Sequence, residues 1–336
     1  MRIEQNYSLL KHNTFGLDVK TDYFVEYETE ADLQKLLHDE FFLSNRFLHI
    51  GQGSNLLFLG DFKGIILHSA IRGISKIKEN EQSVWLKVGA GNDWDSFVAF
   101  CVENGWGGLE NLSLIPGEAG ASAVQNIGAY GAEVSERIEA VHACSVETGE
   151  KRIFSNAECA YSYRNSFFKT SENKGKYVVV QVVFRLDKQP EFRLDYGNIR
   201  EFLAEKPVSL QTLREAVVAI RESKLPNPKE TGNAGSFFVN PYVSMAHFQQ
   251  LKKIYPTIPH YPADDERVKV PAAWLIEQCG LKGKTVGDAA VHEKQALVII
   301  NRGRATGQEI ARLAEEIRKT VNEKMNVELQ PEVNYI

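Results

Sequence analysis

Paired cysteines and clustered histidines are both lacking from this chain of 336 residues. Its four cysteines stand far apart and form no C-x-x-C pair: Cys101, Cys144, Cys159 and Cys279. Its eight histidines are scattered singly. This pattern excludes the familiar zinc sites and disulfide frameworks, and we expect no bound metal. A chain of this length can bury a hydrophobic core without such cross-links.

Long apolar runs and an excess of basic residues are lacking as well. No apolar run approaches the ~20 residues that span a bilayer, and the opening MRIEQNYSLLKHNTFG has no apolar segment typical of a signal peptide. The chain has 39 Lys and Arg against 44 Asp and Glu, a net charge of −5. It therefore lacks the basic field of nucleic-acid-binding proteins. We expect a cytoplasmic protein that binds neither nucleic acid nor a membrane.

The residues that are present predict both helices and strands. Residues 23–27 alternate like a strand, and residues 32–42 carry a helical pattern. A helix over residues 93–104 should end at Gly105. Residues 71–186 are otherwise rich in β-branched side chains, which favours strands.

The last third of the chain predicts further helices. Thr212 and Glu215 have the spacing of a capping box, and the helix that they begin must end before Pro226. A final helix over residues 308–324 carries an apolar stripe. Together the patterns predict three compact parts that mix helices and strands.

Three familiar motifs nearly occur and fail. Residues 280–285 resemble the end of a P-loop, but Gln278 occupies its first glycine position. The G-x-G sequences at 51–53 and 89–91 do not continue to G-x-x-G. Ser236 lacks the second glycine of a nucleophile elbow. We therefore expect neither a Rossmann domain nor Ser-His-Asp chemistry.

Two glycine-bearing stretches indicate ligand contact. In Gly51-Gln52-Gly53-Ser54-Asn55 the glycines let backbone amides approach a ligand, and the side chains add donors. This suits a diphosphate, with an ordinary turn as the alternative. Residues 109–131 are too long for a turn and too rich in glycine for a helix. We expect an ordered loop built for backbone contact with a large flat ligand; a flexible surface loop is the alternative.

Three single residues carry possible chemistry. Arg164 stands among aromatic residues in YSYRNSFFK, where it can hold a carboxylate bidentately or serve as a structural arginine. Ser236 follows a glycine in GNAGSFFVNP, which by itself indicates a plain turn. Glu332 lies beside apolar residues near the C-terminus and by itself indicates only a solvated side chain.

In chain order these stretches resemble one enzyme family. They read GQGSNLLF, LENLSLIPGEAGASAVQNIGAYGAEV, YSYRNSFFK, RESKLPNP, GNAGSFFVNP, AAWLIEQCGLKGKTVGDAAVHEKQALVIIN and LQPEVNYI. The series closely resembles the UDP-N-acetylenolpyruvoylglucosamine reductases, from about residue 10 to the C-terminus. The chain departs from the family pattern at four positions: Glu118, Ala123, Val239 and Asn334.

The resemblance implies a fold and a division into domains. It implies an α+β chain with a two-part FAD-binding domain of the PCMH or vanillyl-alcohol-oxidase type and a separate α+β substrate-binding domain. We expect the FAD-binding subdomains at 1–69 and 70–208, with the C-terminal tail 328–336 joining the first. The substrate domain is expected at 209–327.

The resemblance also implies ligands and site residues. It implies non-covalent FAD, NADPH as hydride donor and a monomeric protein. Its catalytic residues would be Arg164, Ser236 and Glu332. Its FAD-binding residues would be Gly51, Gln52, Gly53, Ser54, Asn55, Ser113, Pro116, Gly117, Gly120, Gln125, Asn126, Gly128, Ala129 and Tyr130. The sugar nucleotide would contact Tyr196, in the tyrosine loop of the type I subfamily, with Lys224, Asn240 and Gln295.

The implied reaction reduces UDP-N-acetylglucosamine enolpyruvate to UDP-N-acetylmuramate for peptidoglycan synthesis. Hydride would reach C3 of the enolpyruvyl ether, Arg164 would stabilise the enolate-like charge and Ser236 would protonate C2. Glu332 would help only in its protonated form. Two alternatives are a nucleotide-sugar-binding regulatory module without catalysis and an O₂-using flavin oxidase of the same fold.

Overall fold

Short strands and helices alternate along the chain in the computed structural model, which describes residues 1–204 and 206–336. The strands are β1 Arg2–Ser8, β2 Lys20–Tyr27, β3 Phe47–Ile50, β4 Leu56–Leu57, β5 Phe62–Ser69, β6 Ile74–Glu79, β7 Ser83–Gly89, β8 Gly128–Ala129, β9 Ala132–Glu133, β10 Ile138–Ser145, β11 Lys151–Ser155, β12 Tyr177–Asp187, β13 Gly232–Ser236, β14 Tyr242–Ser244, β15 Tyr261–Pro262, β16 Arg267–Lys269, β17 Thr285–Val286, β18 Ala289–Val291, β19 Val298–Asn301 and β20 Asn334–Tyr335. The helices are α1 Glu30–Leu37, α2 Glu40–Leu43, α3 Trp94–Glu103, α4 Ala119–Gln125, α5 Ile199–Leu203, α6 Leu210–Lys224, α7 Met245–Ile254, α8 Ala272–Gln278 and α9 Gly307–Met325. Within the described residues, no helix is long and apolar enough to cross a membrane.

The described residues fall into two units, each made of several chain segments. Unit 1 comprises Met1–Tyr7, Lys20–Gln52 and Phe62–Ser223. Unit 2 comprises Ser8–Val19, Gly53–Asp61 and Lys224–Ile336. The three-part boundaries expected from the sequence stay a prediction.

Unit 1 contains a four-stranded sheet in the order β1-β2-β5-β3, in which β2, β5 and β3 are parallel. The register places Glu26 of β2 and Ile50 of β3 on either side of His68 of β5. Helices α1 and α2 pack on this sheet. The helical pattern over 32–42 is confirmed, but it forms two helices. Helix α1 ends at its C-cap His38, and Asp39 caps α2 by accepting from the Phe41 amide at 2.9 Å.

A five-stranded antiparallel sheet, in the order β11-β10-β12-β7-β6, completes the framework of unit 1. The register between β10 and β12 slips between His142 and Ala143. Side chains alternate along a strand, so the extra residue at this slip turns the buried side chains that follow it in β12 to the other face of the sheet. Val178 and Val180 join the core of the first sheet, whereas Val182 joins the core beneath α3 and α4.

The predicted helix over 93–104 is confirmed as α3. The Asp93 carboxylate accepts a hydrogen bond from the Ser96 amide at 2.9 Å and caps its start. Gly105, with φ of +75°, follows its C-cap.

Helix α6 differs from the prediction in its cap. It begins at Leu210, so Ser209 is its cap: the Ser209 Oγ accepts from the Thr212 amide at 3.1 Å, and the Thr212 hydroxyl oxygen accepts from the Ser209 amide at 2.9 Å. The predicted pairing of Thr212 with Glu215 is therefore not the cap. The buried face of α6 packs with α5.

Unit 2 is built on the antiparallel sheet β13-β19-β18-β17 and helix α9. The predicted apolar stripe of α9 is confirmed as buried: Ile310, Leu313, Ala314, Ile317 and Val321. The small sheet β14-β16-β15 and helices α7 and α8 pack on the same core. Near the C-terminus, β20 pairs in parallel with β4.

Candidate functional site

The glycine-rich stretch of unit 1, residues 109–131, contains the short helix α4, so the prediction that it excludes a helix was wrong. Most residues of α4 are alanine, glycine or serine, and several are buried. A Cβ on Gly120 would lie 2.7 Å from the Cβ of Ala90. The small side chains therefore permit close packing rather than flexibility.

Asn126 ends α4 and holds the stretch in shape. Its backbone is left-handed, with φ of +47°, and the residue is fully buried. Its Nδ2 donates to Glu133 Oε2 at 2.8 Å and to the Ser162 carbonyl at 2.9 Å. Its Oδ1 accepts from the Ser135 amide at 3.1 Å. Because the side chain is engaged in these bonds, a ligand contact at this position would fall to the backbone.

Left-handed backbone recurs at Leu114 and Tyr130, with φ of +58° and +47°. Such a conformation costs a non-glycine residue about 1–2 kcal/mol and typically persists where the surroundings enforce it, often at functional sites. The Leu114 amide donates to Asp95 Oδ1 at 2.5 Å, and Asn111 Nδ2 donates to the Tyr130 carbonyl at 3.0 Å. Asp95 from α3 thus holds Leu114, and Asn111 from the stretch itself holds Tyr130.

Arg164 is attached to the same stretch. It too has left-handed backbone, with φ of +55°. Its Nη2 donates to the Gly128 carbonyl at 2.6 Å and its guanidinium lies 5.1 Å from the centre of the Tyr163 ring. Lys169 Nζ donates to the Arg164 carbonyl at 2.7 Å. A Cβ on Gly128 would lie 2.9 Å from Arg164 Nη1, so the glycine makes room for the guanidinium.

Arg221 is a second cation at this stretch that the sequence analysis missed. Its Nε donates to the Leu114 carbonyl at 3.2 Å. Burial lowers the pKa of Arg221, although charges on Tyr130 and Asp95 act in the other direction. The available signal was its position three residues before Lys224, which puts both on one face of α6.

The segment Gly51-Gln52 belongs to unit 1 and lies beside carboxylates. Gln52 Nε2 donates to Asp93 Oδ2 at 2.9 Å. A Cβ on Gly51 would lie 3.0 Å from Glu118 Oε2. The expected diphosphate-binding segment is therefore more acidic in its surroundings than its own sequence indicates.

Tyr196 lies next to the end of the glycine-rich stretch and is 47% exposed. A Cβ on Gly131 would lie 3.0 Å from Tyr196 Cδ2, and one on Gly197 would lie 3.4 Å from the Tyr130 ring. Asn111 Nδ2 also donates to the Arg193 carbonyl at 3.0 Å, which fastens the tyrosine segment to the stretch. Unit 1 thus brings Arg164, Tyr130 and Tyr196 around one backbone path.

Unit 2 brings together Ser236, Glu332 and Asn55. The Glu332 amide donates to the carbonyl of Phe237, the neighbour of Ser236, at 2.8 Å. Asn55 Nδ2 donates to the Glu332 carbonyl at 3.0 Å, and the Asn334 amide donates to the Asn55 carbonyl at 3.0 Å. Ser236 is exposed at the end of β13. Backbone pairing therefore brings the segment of Glu332 next to that of Ser236.

The other site residues predicted in unit 2 lie on different elements of the fold. Asn240 Oδ1 accepts from the Ala272 amide at the start of α8 at 2.9 Å. Gln295 is half-buried just before β19, and Lys224 is exposed at the end of α6. Gly53 has φ of +69° and its Cα faces the His12 carbonyl.

The remaining predicted FAD-binding residues differ in accessibility. Ser113 is fully buried, and its hydroxyl donates to the Glu110 carbonyl at 2.6 Å. Gly117 is buried and Pro116 is exposed. The half-buried members are Ser54, Gln125 and Ala129. In the described part of the chain, no group of three or more His, Cys, Asp and Glu side chains could hold a metal ion.

Comparison with known proteins identifies the family. The chain is 52% identical to the UDP-N-acetylenolpyruvoylglucosamine reductase of Porphyromonas gingivalis, with 100% of each chain covered. It is 50% identical to the enzyme of that name from Bacteroides fragilis, with 99% of this chain and 100% of that one covered. The chain belongs to the UDP-N-acetylenolpyruvoylglucosamine reductase family.

Family models and solved structures agree with this assignment to the reductase family. Residues 227–336 match the C-terminal domain of UDP-N-acetylenolpyruvoylglucosamine reductase, and residues 21–151 match an FAD binding domain. The crystal structure of the reductase from Thermus caldophilus matches with a TM-score of 0.70 at 22% identity, covering 100% of this chain and 99% of that one. p-Cresol methylhydroxylase matches with a TM-score of 0.50 at 11% identity over 94% of this chain and 82% of its own. The expected fold class is thereby confirmed.

Proposed function

We propose that this chain is the flavoenzyme that reduces UDP-N-acetylglucosamine enolpyruvate to UDP-N-acetylmuramate in peptidoglycan precursor synthesis. It takes non-covalent FAD and uses NADPH as hydride donor. Besides family membership, the observation that carries the proposal is the hydrogen bond from the Glu332 amide to the Phe237 carbonyl. It brings the backbone of Glu332 to that of Phe237, the neighbour of the exposed Ser236, which supports a role for both residues at one substrate.

The residues of unit 1 fit FAD in their chemistry. Neutral amides and glycine backbone suit the uncharged ring system, and Arg164 and Arg221 supply positive charge at the same stretch. The fixed left-handed residues present carbonyl and amide groups in an order that a flexible loop could not keep. When bound, FAD supplies the hydride chemistry that no side chain of this protein can provide.

Arg164 is proposed to hold the enolpyruvyl carboxylate. Hydride addition at C3 leaves negative charge at C2 that spreads into this carboxylate, so a guanidinium fork there stabilises the transition state more than the substrate. The bond from Arg164 to the Gly128 carbonyl and the contact with Tyr163 keep the fork in one orientation. Little reorganisation is then needed during the reaction.

Ser236 is proposed to protonate C2. A hydroxyl is a weak acid, but an enolate carbon is a strong base, so the transfer is feasible when the geometry is held. The pairing of β13 with β19 at Ser236 and Val298 fixes the backbone of this serine, and its side chain remains exposed to a ligand.

Glu332 is proposed to act as a neutral hydrogen-bond donor. An ionised carboxylate beside the enolate would repel it, whereas a protonated one stabilises it. Tyr196, Lys224, Asn240 and Gln295 are proposed to bind the sugar nucleotide. We further propose that the protein is a cytoplasmic monomer.

The visible spectrum of the purified protein tests this function. We expect a flavin spectrum that bleaches on anaerobic addition of NADPH and returns on addition of the enolpyruvyl substrate. Loss of colour without recovery by substrate, but with recovery by O₂ alone, would identify an oxidase. A colourless protein that binds the sugar nucleotide would identify a regulatory module.

A further inference from the structure

His68 of unit 1 is held between two carboxylates. Its Nδ1 lies 2.9 Å from Glu26 Oε2, and its Nε2 lies 3.0 Å from Glu118 Oε1. His68 and Glu118 are each only 6% exposed. Glu118, which immediately precedes α4, is one of the positions where this chain departs from its family pattern.

The two short contacts fix the proton content of this group. A neutral imidazole has one donor nitrogen and one acceptor nitrogen, so it cannot donate to both carboxylates. The trio Glu26, His68 and Glu118 therefore holds one more proton than a neutral histidine between two ionised carboxylates would. Burial alone lowers the pKa of His68, but the bonds and charges of Glu118 and Glu26 outweigh it and raise the pKa.

Glu118 also reaches the segment expected to take the FAD diphosphate. A Cβ on Gly51 would lie 3.0 Å from Glu118 Oε2, the oxygen that does not bond His68. Asp93 bonds Gln52 in the same segment. Two carboxylates beside a binding segment for an anion repel that anion unless their charge is compensated.

We propose that His68 is a positioning residue for FAD. The proton of His68 neutralises the charge of Glu118 beside Gly51 and so lets the Gly51-Gln52 segment accept the diphosphate. This rests on the proposed flavin function. It adds a residue of the first sheet to the control of cofactor binding.

The other ionisable groups around His68 leave it as the group that changes charge near neutral pH. On β1, Arg2 Nη1 lies 3.8 Å from Glu26 Oε1 and stays cationic. On β3, burial and then the charge of His68 lower the pKa of His49 to about 3, so His49 is neutral, bonded to Tyr27 at 3.0 Å. Burial raises the pKa of Tyr27, which stays protonated.

The test is the affinity of the apoprotein for FAD between pH 6 and 9, measured by quenching of flavin fluorescence. In wild type we expect the affinity to fall as pH rises through the raised pKa of His68, above its ordinary 6.5. His68→Gln should bind FAD roughly tenfold more weakly at pH 7 and lose this pH step, because Glu118 is left charged. The exposed His38, changed to Gln, is the matched control and should behave as wild type.

A second substitution separates charge from packing. In the double variant His68→Gln/Glu118→Gln the carboxylate is gone, and FAD affinity should return to within about twofold of wild type. Glu118→Gln alone should bind at least as tightly as wild type without the pH step. If the double variant is as weak as His68→Gln, or if His68→Gln binds normally, the proposal is overturned. A wild type that takes no FAD would instead refute the proposed function.

Discussion

The surroundings of Arg164 in unit 1 and of Ser236 in unit 2 are built in different ways. Arg164 belongs to a network of side-chain bonds to strained backbone, in which Asn126, Asn111 and Arg221 also take part. Ser236 is placed by backbone pairing, between β19 and the segment of Glu332. The first arrangement suits a lasting grip on a cofactor, and the second presents exposed groups to a substrate that comes and goes. Changes to the Arg164 side chain should therefore disturb FAD binding and chemistry together, whereas changes to the Ser236 side chain should disturb chemistry alone.

The largest expected effect comes from Arg164→Ala. We expect kcat to fall about 10³-fold, because the developing carboxylate charge loses its partner. FAD affinity should fall as well, since the Gly128 carbonyl loses its donor. Arg164→Lys keeps the charge but not the guanidinium fork, so it should recover only part of the lost kcat and part of the lost FAD affinity. Unchanged FAD affinity in Arg164→Ala, measured by fluorescence titration, would break the contrast between the two units.

Substitutions that strain the backbone should lower the stability of unit 2, because this unit depends on backbone pairing. Gly53→Ala puts a methyl group against the His12 carbonyl at a φ of +69°. We expect it to lower the free energy of unfolding by about 3 kcal/mol or more. Gly280→Ala is the matched control: its φ is +74°, but nothing lies within 4 Å, so the cost should be about 1 kcal/mol. Equal losses in urea denaturation would show that the close approach at Gly53 is unimportant.

Asp95 tests the side-chain network of unit 1 through its pH dependence. Arg214 bonds it at 2.7 and 2.9 Å, and the Leu114 amide bonds it at 2.5 Å. Burial alone raises its pKa, but Arg214 and Leu114 outweigh this and lower the pKa below its ordinary 3.8. The stabilisation is therefore present above pH 3.8 and is lost as pH falls through the lowered pKa.

Asp95→Asn should accordingly lower the free energy of unfolding by about 2 kcal/mol at pH 7. The difference from wild type should shrink as the pH is lowered below 3.8. Denaturant unfolding of both proteins, followed by the fluorescence of the neighbouring Trp94, measures this difference. A difference that stays constant from pH 7 to pH 3 would contradict the ionic origin of the stabilisation.

The smallest expected effect distinguishes two substitutions of Glu332. Glu332→Gln keeps a hydrogen-bond donor, so its kcat should exceed that of Glu332→Ala by roughly tenfold. Neither substitution should alter FAD affinity, because Glu332 is placed by its backbone amide. Equal kcat values for the two variants would exclude the neutral-donor role.

Much of the framework could be predicted from the sequence, because its signals are local. Helix α9 and the cap of α3 follow from side-chain periodicity and from Asp93. Helix α4 could not be predicted, because a run of small residues is also typical of a flexible loop. Only the fold shows that Gly120 packs against Ala90. The α6 cap was misplaced because Ser209 and Thr212 both offer capping hydroxyls.

The residues of the candidate site were predicted from motifs in family order, whereas the contacts that support them could not be predicted. The Glu118–His68 contact joins residues 50 positions apart, and the Arg221–Leu114 contact joins residues 107 positions apart. No local pattern marks such pairs, since parallel strands and packed helices bring them together only in the folded chain. The neighbouring backbones of Ser236 and Glu332 could not be seen in the sequence for the same reason.

The central claim is that the glycine-rich stretch of unit 1 serves the flavin and that Ser236 of unit 2 delivers a proton to the substrate. Stopped-flow absorbance of Ser236→Ala separates the two. We predict that NADPH bleaches the flavin at the wild-type rate, and that the enolpyruvyl substrate then fails to restore the colour under anaerobic conditions. Equal slowing of both half-reactions, or normal recovery of colour with substrate, would contradict the account.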